Sequence, residues 1–396
     1  MNLARELSGL VRLAPVLDAL PGPAYLVGGT VRDLLLHRPS QFDFDLAVVG
    51  DGESYARALA DRLDGGVTAH DRFGTATVRY GDDSRIDVAT ARTEAYPEPG
   101  RLPEVAAAQT IEDDLRRRDF TINAMAISLP DAELVDPFEG TRHLHDRLVR
   151  VLHEHSFADD PTRIFRAARY ETRLGFRTDP KTETLALLAV PELARLSGAR
   201  VREELVAALE EPEPERVLAR LHALGVDAAL GVGFPERPTG LQDRLRGLND
   251  VYGLGLPHWH LGLLSVQAPN GWLDEIKVPR RIVEGVEAAR REEPMLSALL
   301  AGGQKSPAEI VAAVERTGPD TPLYALALGE LPALREYFSQ LRGVRLEIDG
   351  EDLAALGLAQ SPRVGEVLAE LRRRKLNGDL PTRASELAAA RELIAQ

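Results

Sequence analysis

The sequence contains no cysteine, which excludes disulfide bonds, thiolate metal sites and cysteine nucleophiles. A cytoplasmic protein with no disulfide-linked partner is expected. No apolar run approaches the ~20 residues that a membrane-spanning helix needs. Arg5, Glu6, Arg12 and Asp18 interrupt the apolar positions of the first twenty residues, so no signal-peptide core stands out and no membrane partner is expected. Lysine is scarce: Lys181, Lys277, Lys305 and Lys375 are the only four among 48 basic residues. The remainder are arginine, the better bidentate ligand of phosphates and base edges. Excess positive charge is missing too, since a net charge of −14 excludes a protein that coats nucleic acid by bulk attraction. Apolar residues, by contrast, make up 44% of the 396 positions, enough for two to four packed units and too many for a disordered chain.

Up to about residue 140 strand-like and helix-like patterns alternate. Residues 7–20 have helical spacing interrupted at Pro15; 24–27 read as a strand, 30–36 as a helix, 42–49 as a strand and 53–63 as a helix. Residues 75–79 and 85–91 predict two strands, and 124–129 another. Residues 93–108, with Pro97, Pro99, Gly100 and Pro103, predict a long loop of the kind that is usually functional or mobile. From about residue 144 apolar residues recur at intervals of three and four, and the pattern predicts helices throughout. The fold class is therefore α+β, with a sheet unit at 1–140 followed by helical units at 141–205, 206–335 and 336–396.

Three constellations could carry chemistry. Gly28-Gly29-Thr30-Val31-Arg32-Asp33 forms a strand-to-helix turn and is followed by Asp43-Phe44-Asp45 in the next strand. Paired glycines permit close backbone approach to a ligand, and a helix N-terminus favours phosphate. Residues two apart in a strand project from one face, so Asp43 and Asp45 offer the oxygen ligands that Mg²⁺ takes beside a phosphate. Asp87, in the apolar run Ile86 to Thr90, is either a third ligand or a solvated outward-facing acid. The second constellation is Asp114-Leu115-Arg116-Arg117-Arg118-Asp119-Phe120-Thr121-Ile122-Asn123-Ala124, where a basic run leads into alternating polar groups that need partners. The third, Ser156 to Tyr170, reads as a helix start with Asp160 as N-cap, Pro161 as first helical residue and Ser156 with Asp159 as a capping box. Capping leaves Arg163, Arg166 and Arg169 unexplained: they form a basic ridge in which Asp160 and Arg163 could fix each other and face a nucleobase.

Together these segments resemble the eubacterial and eukaryotic class of the tRNA nucleotidyltransferase and bacterial poly(A) polymerase family. Its pattern is a G-G-x-V-R-D turn with a D-x-D strand, an R-R-D-x-T-x-N-A segment and an E-D-x-x-R helix start, where this chain has Asp159 for the usual Glu. The resemblance implies a polymerase-β-type head followed by all-helical neck, body and tail. It implies Mg²⁺ at Asp43 and Asp45, triphosphate contacts from Gly28, Gly29 and Arg32 with Asp33 alongside, and ribose recognition by Arg118 and Asp119 with Asn123 nearby. Asp159, Asp160 and Arg163 would read the edges of CTP and ATP. The partner implied is the 3′ end of tRNA, with phosphate contacts from Arg163, Arg166 and Arg169 and, in the tail, from Arg363, Arg372, Arg373, Arg374 and Lys375. Residues 337–396 carry as many basic as acidic side chains, so the acidic excess lies elsewhere.

Other readings fit less of the pattern. A nucleotide-sugar glycosyltransferase shares D-x-D but has no use for residues 117–123 or the arginine ridge. A small-molecule nucleotidyltransferase needs no long helical part, and a non-catalytic RNA-binding protein needs no set of acids at 43, 45 and 119. A phosphohydrolase built on His145-Asp146 or on His258 and His260 lacks further ligands at suitable spacing. Among CCA, CC, A and poly(A) addition the motifs make no choice.

Overall fold

Alternating apolar residues in the first third of the chain build a seven-stranded sheet in the computed structural model, which describes residues 3–38, 44–70, 74–81, 84–98 and 100–395. Its strands are β1 (Ala24–Val27), β2 (Asp45–Val48), β3 (Gly66–His70), β4 (Thr75–Tyr80) and β5 (Ser84–Thr90), with β8 (Ala126–Leu129) and β9 (Leu134–Val135) later in the chain. Between them β6 (Arg92–Ala95) and β7 (Glu104–Ala107) pair only with each other. The sheet order is β3-β4-β5-β2-β1-β8-β9, with β2 parallel to β5 and the remaining pairs antiparallel.

The period of two sorts the side chains. Leu26, Leu46, Val88 and Ala76 lie opposite one another across β1, β2, β5 and β4, and all are buried. The helix Gly52–Arg62 packs on this half of the sheet and buries Ala56, Leu59 and Ala60. On the other face Val27, Ala47 and Ala126 join Ile111 and Leu115 of the helix Ile111–Arg116. Beyond that helix this face carries polar residues: Asp45, Asp87 and Thr77 stand in register across β2, β5 and β4.

Two local expectations are corrected. Residues 7–20 are not one helix broken at Pro15, because Leu3–Ser8 and Ala14–Ala19 are separate and Pro15 lies in the first turn of the second, where its missing N–H costs nothing. Residues 93–108 are not a structureless loop, because β6 and β7 form an antiparallel hairpin with the prolines confined to the connection. Strand β3 was not foreseen; it is a largely exposed edge strand with little apolar patterning.

After the sheet the described residues form helices and their connections, a two-stranded parallel ladder, Leu148–Val149 with Arg177–Thr178, and an isolated antiparallel bridge between Gly233 and Gln267. Residues 1–232 form one compact unit and 233–396 a second. None of the sequence-based boundaries at 140, 205 and 335 coincides with this division, which falls inside the expected unit 206–335. The second unit includes the helices Arg280–Ala301, Pro307–Val314, Pro362–Leu376 and Arg383–Ala395, with Leu353, Leu371 and Ala390 wholly buried in its last part. Among the described residues no helix is long and apolar enough to cross a membrane.

Candidate active site

Asp45 and Asp87 are direct neighbours across β2 and β5. Ile86 and Val88 turn to the buried face, so the apolar run around Asp87 belongs to one side of the sheet and the acid to the other. Both carboxylates line a cavity of about 400 Å³. Asp43 lies outside the described residues. Gly28 has a φ of +72°, and a Cβ there would sit 3.0 Å from Arg118 Nη1 and 4.0 Å from Asp45 Oδ2, so the missing side chain is what opens the space between guanidinium and carboxylate. Arg118 Nε is buried with no acceptor. Hard oxygen donors beside an N–H group in need of an anion fit Mg²⁺ carrying phosphate oxygens. Among the described residues no three His, Cys, Asp or Glu side chains gather closely enough to hold an ion by themselves.

A second cavity of about 470 Å³ shares Asp45, Arg117 and Arg118 with the first. Gly28, Gly29, Asp119, Asn123, Asp160, Arg163 and Arg166 line it. Arg32 and Asp33 do not. Arg32 grips Asp33 through two bonds of 2.8 and 3.0 Å, donates to Asn123 Oδ1 at 2.8 Å and lies over the Tyr170 ring, which holds it behind the wall. Asn123 donates in turn to Asp119, whose carboxylate also accepts from the Phe120 N–H and, at 2.7 Å, from Arg166 Nε. Burial alone would raise the Asp119 carboxyl, but Arg166 and Asn123 hold it below the usual carboxylate range. Asp114, which opens the second constellation, accepts from Arg117 and Arg118 and is likewise held low by them against the effect of burial. Asp119 is thus a buried anchor for Arg166, and Arg118 answers to Asp114 instead of to its sequence neighbour.

The helix start at 156–163 differs from its expected form. Ser156–Asp159 is a short helix of its own, and the helix Arg163–Leu174 begins after a turn through Pro161 and Thr162. Asp160 accepts from the Thr162 N–H and hydroxyl, which secures that turn, and from Arg200 at 2.7 Å. Arg163 therefore does not pair with Asp160; it donates to Ser156 Oγ at 2.6 Å and to the Arg117 carbonyl at 2.8 Å. Ser156 is occupied by that guanidinium and forms no capping box with Asp159. Asp159 lines a neighbouring cavity with His153, and Arg169 pairs with the buried Glu211, so neither faces the 470 Å³ cavity.

Sequence reasoning missed Glu94, Tyr96, Arg200 and Glu204. Glu94 accepts from Arg92, Arg117 and the Tyr96 hydroxyl. Burial, reinforced by Glu94, pushes the Tyr96 hydroxyl above its ordinary range, and burial pushes Glu204 up as well. These residues carry no motif signal because they lie on the hairpin and on the helix Gly198–Leu209, and only folding brings them to residues 117 and 160.

In the second unit the tail cations are all engaged. Arg372 forms two bonds to Glu315, Arg373 and Arg374 share Glu370, Lys375 meets the buried Glu386, and Arg363 donates to the Leu393 carbonyl. Glu370 is pulled down to about 2 by its bonds to Arg373 and Arg374.

Residues 24–150 match the poly A polymerase head domain, and residues 175–230 match a probable RNA and SrmB-binding site of polymerase A. An A-adding tRNA nucleotidyltransferase of Halalkalibacterium halodurans is 34% identical over 93% of this chain and 88% of its own length. One from Geobacter sulfurreducens is 35% identical over 98% of the chain, which spans only 47% of that relative. The solved structure of a Thermotoga maritima CCA-adding enzyme complexed with tRNA superposes with a TM-score of 0.74 at 31% identity, covering 100% of this chain and 98% of that one. The chain belongs to the tRNA nucleotidyltransferase and poly(A) polymerase family.

Proposed function

We propose that this chain is a template-independent RNA nucleotidyltransferase that adds C, A or both to the 3′ end of tRNA from CTP and ATP, with release of pyrophosphate. The observation that carries the reading is the junction of two cavities at Asp45 and Arg118, with carboxylates on one side and fixed guanidinium groups on the other. Two substrates must meet at such a junction: a hydroxyl among the acids and a triphosphate among the cations.

Asp45 and Asp87, with Asp43, would hold Mg²⁺. When bound, that ion lowers the pKa of an attacking hydroxyl and stabilises negative charge on phosphoryl oxygens. The chain's own groups supply the rest. Arg118 donates to phosphate oxygens, and its bond to Asp114 fixes the plane from which it donates. Gly28 leaves the space those oxygens need. Arg166, anchored on Asp119, presents a preorganised cation at the far wall. Asp160 and Arg163, each held by other partners, offer fixed acceptor and donor groups to a base edge. The RNA 3′-hydroxyl attacks the α-phosphorus, the bond to the β-phosphate oxygen breaks, and pyrophosphate leaves. A cytoplasmic location belongs to the same reading. Poly(A) synthesis is separated from it by product length: tRNA ending addition stops after at most three residues, whereas a poly(A) polymerase continues with ATP. Extension of short-ended RNAs with single nucleotides tests this directly.

A further inference from the structure

The polar face of the sheet holds two side chains that the reaction above leaves unused. Thr77 lies opposite Asp87 across β4 and β5, and its Oγ1 donates to Asp87 Oδ1 at 2.6 Å. His70 Nε2, on β3, lies 3.1 Å from the same hydroxyl oxygen. A hydroxyl has one proton. Once that proton is given to Asp87, the oxygen accepts from His70, so Nε2 carries the ring hydrogen and the bonds run from His70 through Thr77 to Asp87. The Thr77–Asp87 distance belongs to the short, charge-assisted class of hydrogen bonds. His70, Thr77, Asp87 and Asp45 all line the 400 Å³ cavity. Asp87 is exposed on an open sheet face, where an aspartate otherwise samples several rotamers. The bond to Thr77 turns Oδ1 toward β4 and leaves Oδ2 for the side on which Asp45 stands.

We infer that Thr77, supported by His70, is a positioning residue that aims the Asp87 carboxylate at an ion shared with Asp45. The inference rests on the functional reading above and adds to it the outer partner that gives Asp87 its orientation. Partners of this kind fix ligand geometry, and their loss typically costs roughly 10–100-fold in metal affinity or activity.

The test uses the full chain with Mn²⁺ alone as the probe, titrated by electron paramagnetic resonance, beside nucleotide addition with Mg²⁺. Thr77→Val keeps the shape and removes the hydroxyl. It is expected to weaken Mn²⁺ binding roughly tenfold and to lower kcat by a similar factor, with nucleotide KM and thermal unfolding unchanged. Thr77→Ser restores both, and His70→Ala shifts both in the same direction by a smaller factor. The inference is overturned by a Thr77→Val protein that binds Mn²⁺ as the unaltered chain does, by failure of the folded Ser variant to restore binding, or by an unaltered chain that binds no Mn²⁺. The titration needs no catalysis. An unaltered chain that binds Mn²⁺ with this Thr77 dependence but adds no nucleotide therefore upholds the positioning role and sinks the proposed function instead.

Discussion

Arg117, Arg118 and Arg166 beside the cavity in residues 1–232 are tied to carboxylates withdrawn from water, whereas the arginines on the helix Pro362–Leu376 are tied mostly to carboxylates in it. The side chains of Asp114 and Asp119 are 2% and 8% exposed, against 31% for Glu370 and 49% for Glu315. The same pair of residue types does different work in the two places. A buried carboxylate stripped of its arginine has no water to turn to, so it fixes the guanidinium in one orientation, which is what a site that receives a triphosphate requires. An exposed pair is worth about 0–1 kcal/mol and exchanges its carboxylate for another anion at little cost. Lys375 is the exception in the tail, because its partner Glu386 is fully buried and also receives the N–H groups of Glu347 and Ile348.

The contrast can be broken at several points. The largest effect is expected at Asp45→Ala, where loss of a carboxylate at the junction should cost several kcal/mol of transition-state stabilisation, on the order of 10³-fold in kcat, without unfolding the protein. Steady-state nucleotide addition together with circular dichroism checks it. Asp119→Ala takes the acceptor from Arg166, from Asn123 and from the buried Phe120 N–H, and should lower folding stability by about 2–3 kcal/mol in urea unfolding. Glu370→Ala should cost no more than about 1 kcal/mol; equal losses for the two would erase the distinction between the regions.

The same distinction has a pH signature. Asp119 and Asp114 titrate below their unfolded range, so their contribution is complete above the unfolded carboxylate pKa of about 4 and is lost as pH falls through the lower folded values. Urea midpoints between pH 7 and pH 3 should fall at the acid end, and the fall should be smaller in Asp119→Asn. Arg163→Ala should relax the choice of CTP and ATP over UTP and GTP by about 1–3 kcal/mol in competition assays. If selection is unchanged, Arg163 merely braces Ser156 and the Arg117 carbonyl. The smallest effect concerns Arg372→Ala, which should reduce the salt dependence of RNA binding by about one unit of slope and leave stability nearly intact.

The sheet and its carboxylates were legible in the sequence because strands and turns are written locally: β1, β4 and β5 and the helix Gly52–Arg62 follow from period-two and helical spacing and from the turn residues between them. Strand β3 and the β6–β7 hairpin were not, since an exposed edge and a proline-rich connection lack the apolar alternation that marks a strand. At the site most of the motif residues come together, but the one pairing read from their spacing does not form. Spacing suggested Asp160 with Arg163, and the resemblance implied a shared ribose contact for Arg118 and Asp119. The chain instead joins Asp160 to Arg200, Arg163 to Ser156, Arg118 to Asp114 and Arg166 to Asp119. Side chains close in sequence compete with distant ones that the fold delivers at better angles, and only the fold decides. Arg200, which holds Asp160 from 40 residues away, and Glu204, which lines the cavity, illustrate this.

The most direct test of the central claim offers the protein tRNAs ending before the CCA, after its first C and after both, each with one labelled nucleotide and Mg²⁺. The expected result is extension of at least one of these RNAs by CTP or ATP, stopping within three added residues, with none from UTP or GTP and none by Asp45→Ala. Failure to extend any of the three, or an unbounded run of A, would contradict it.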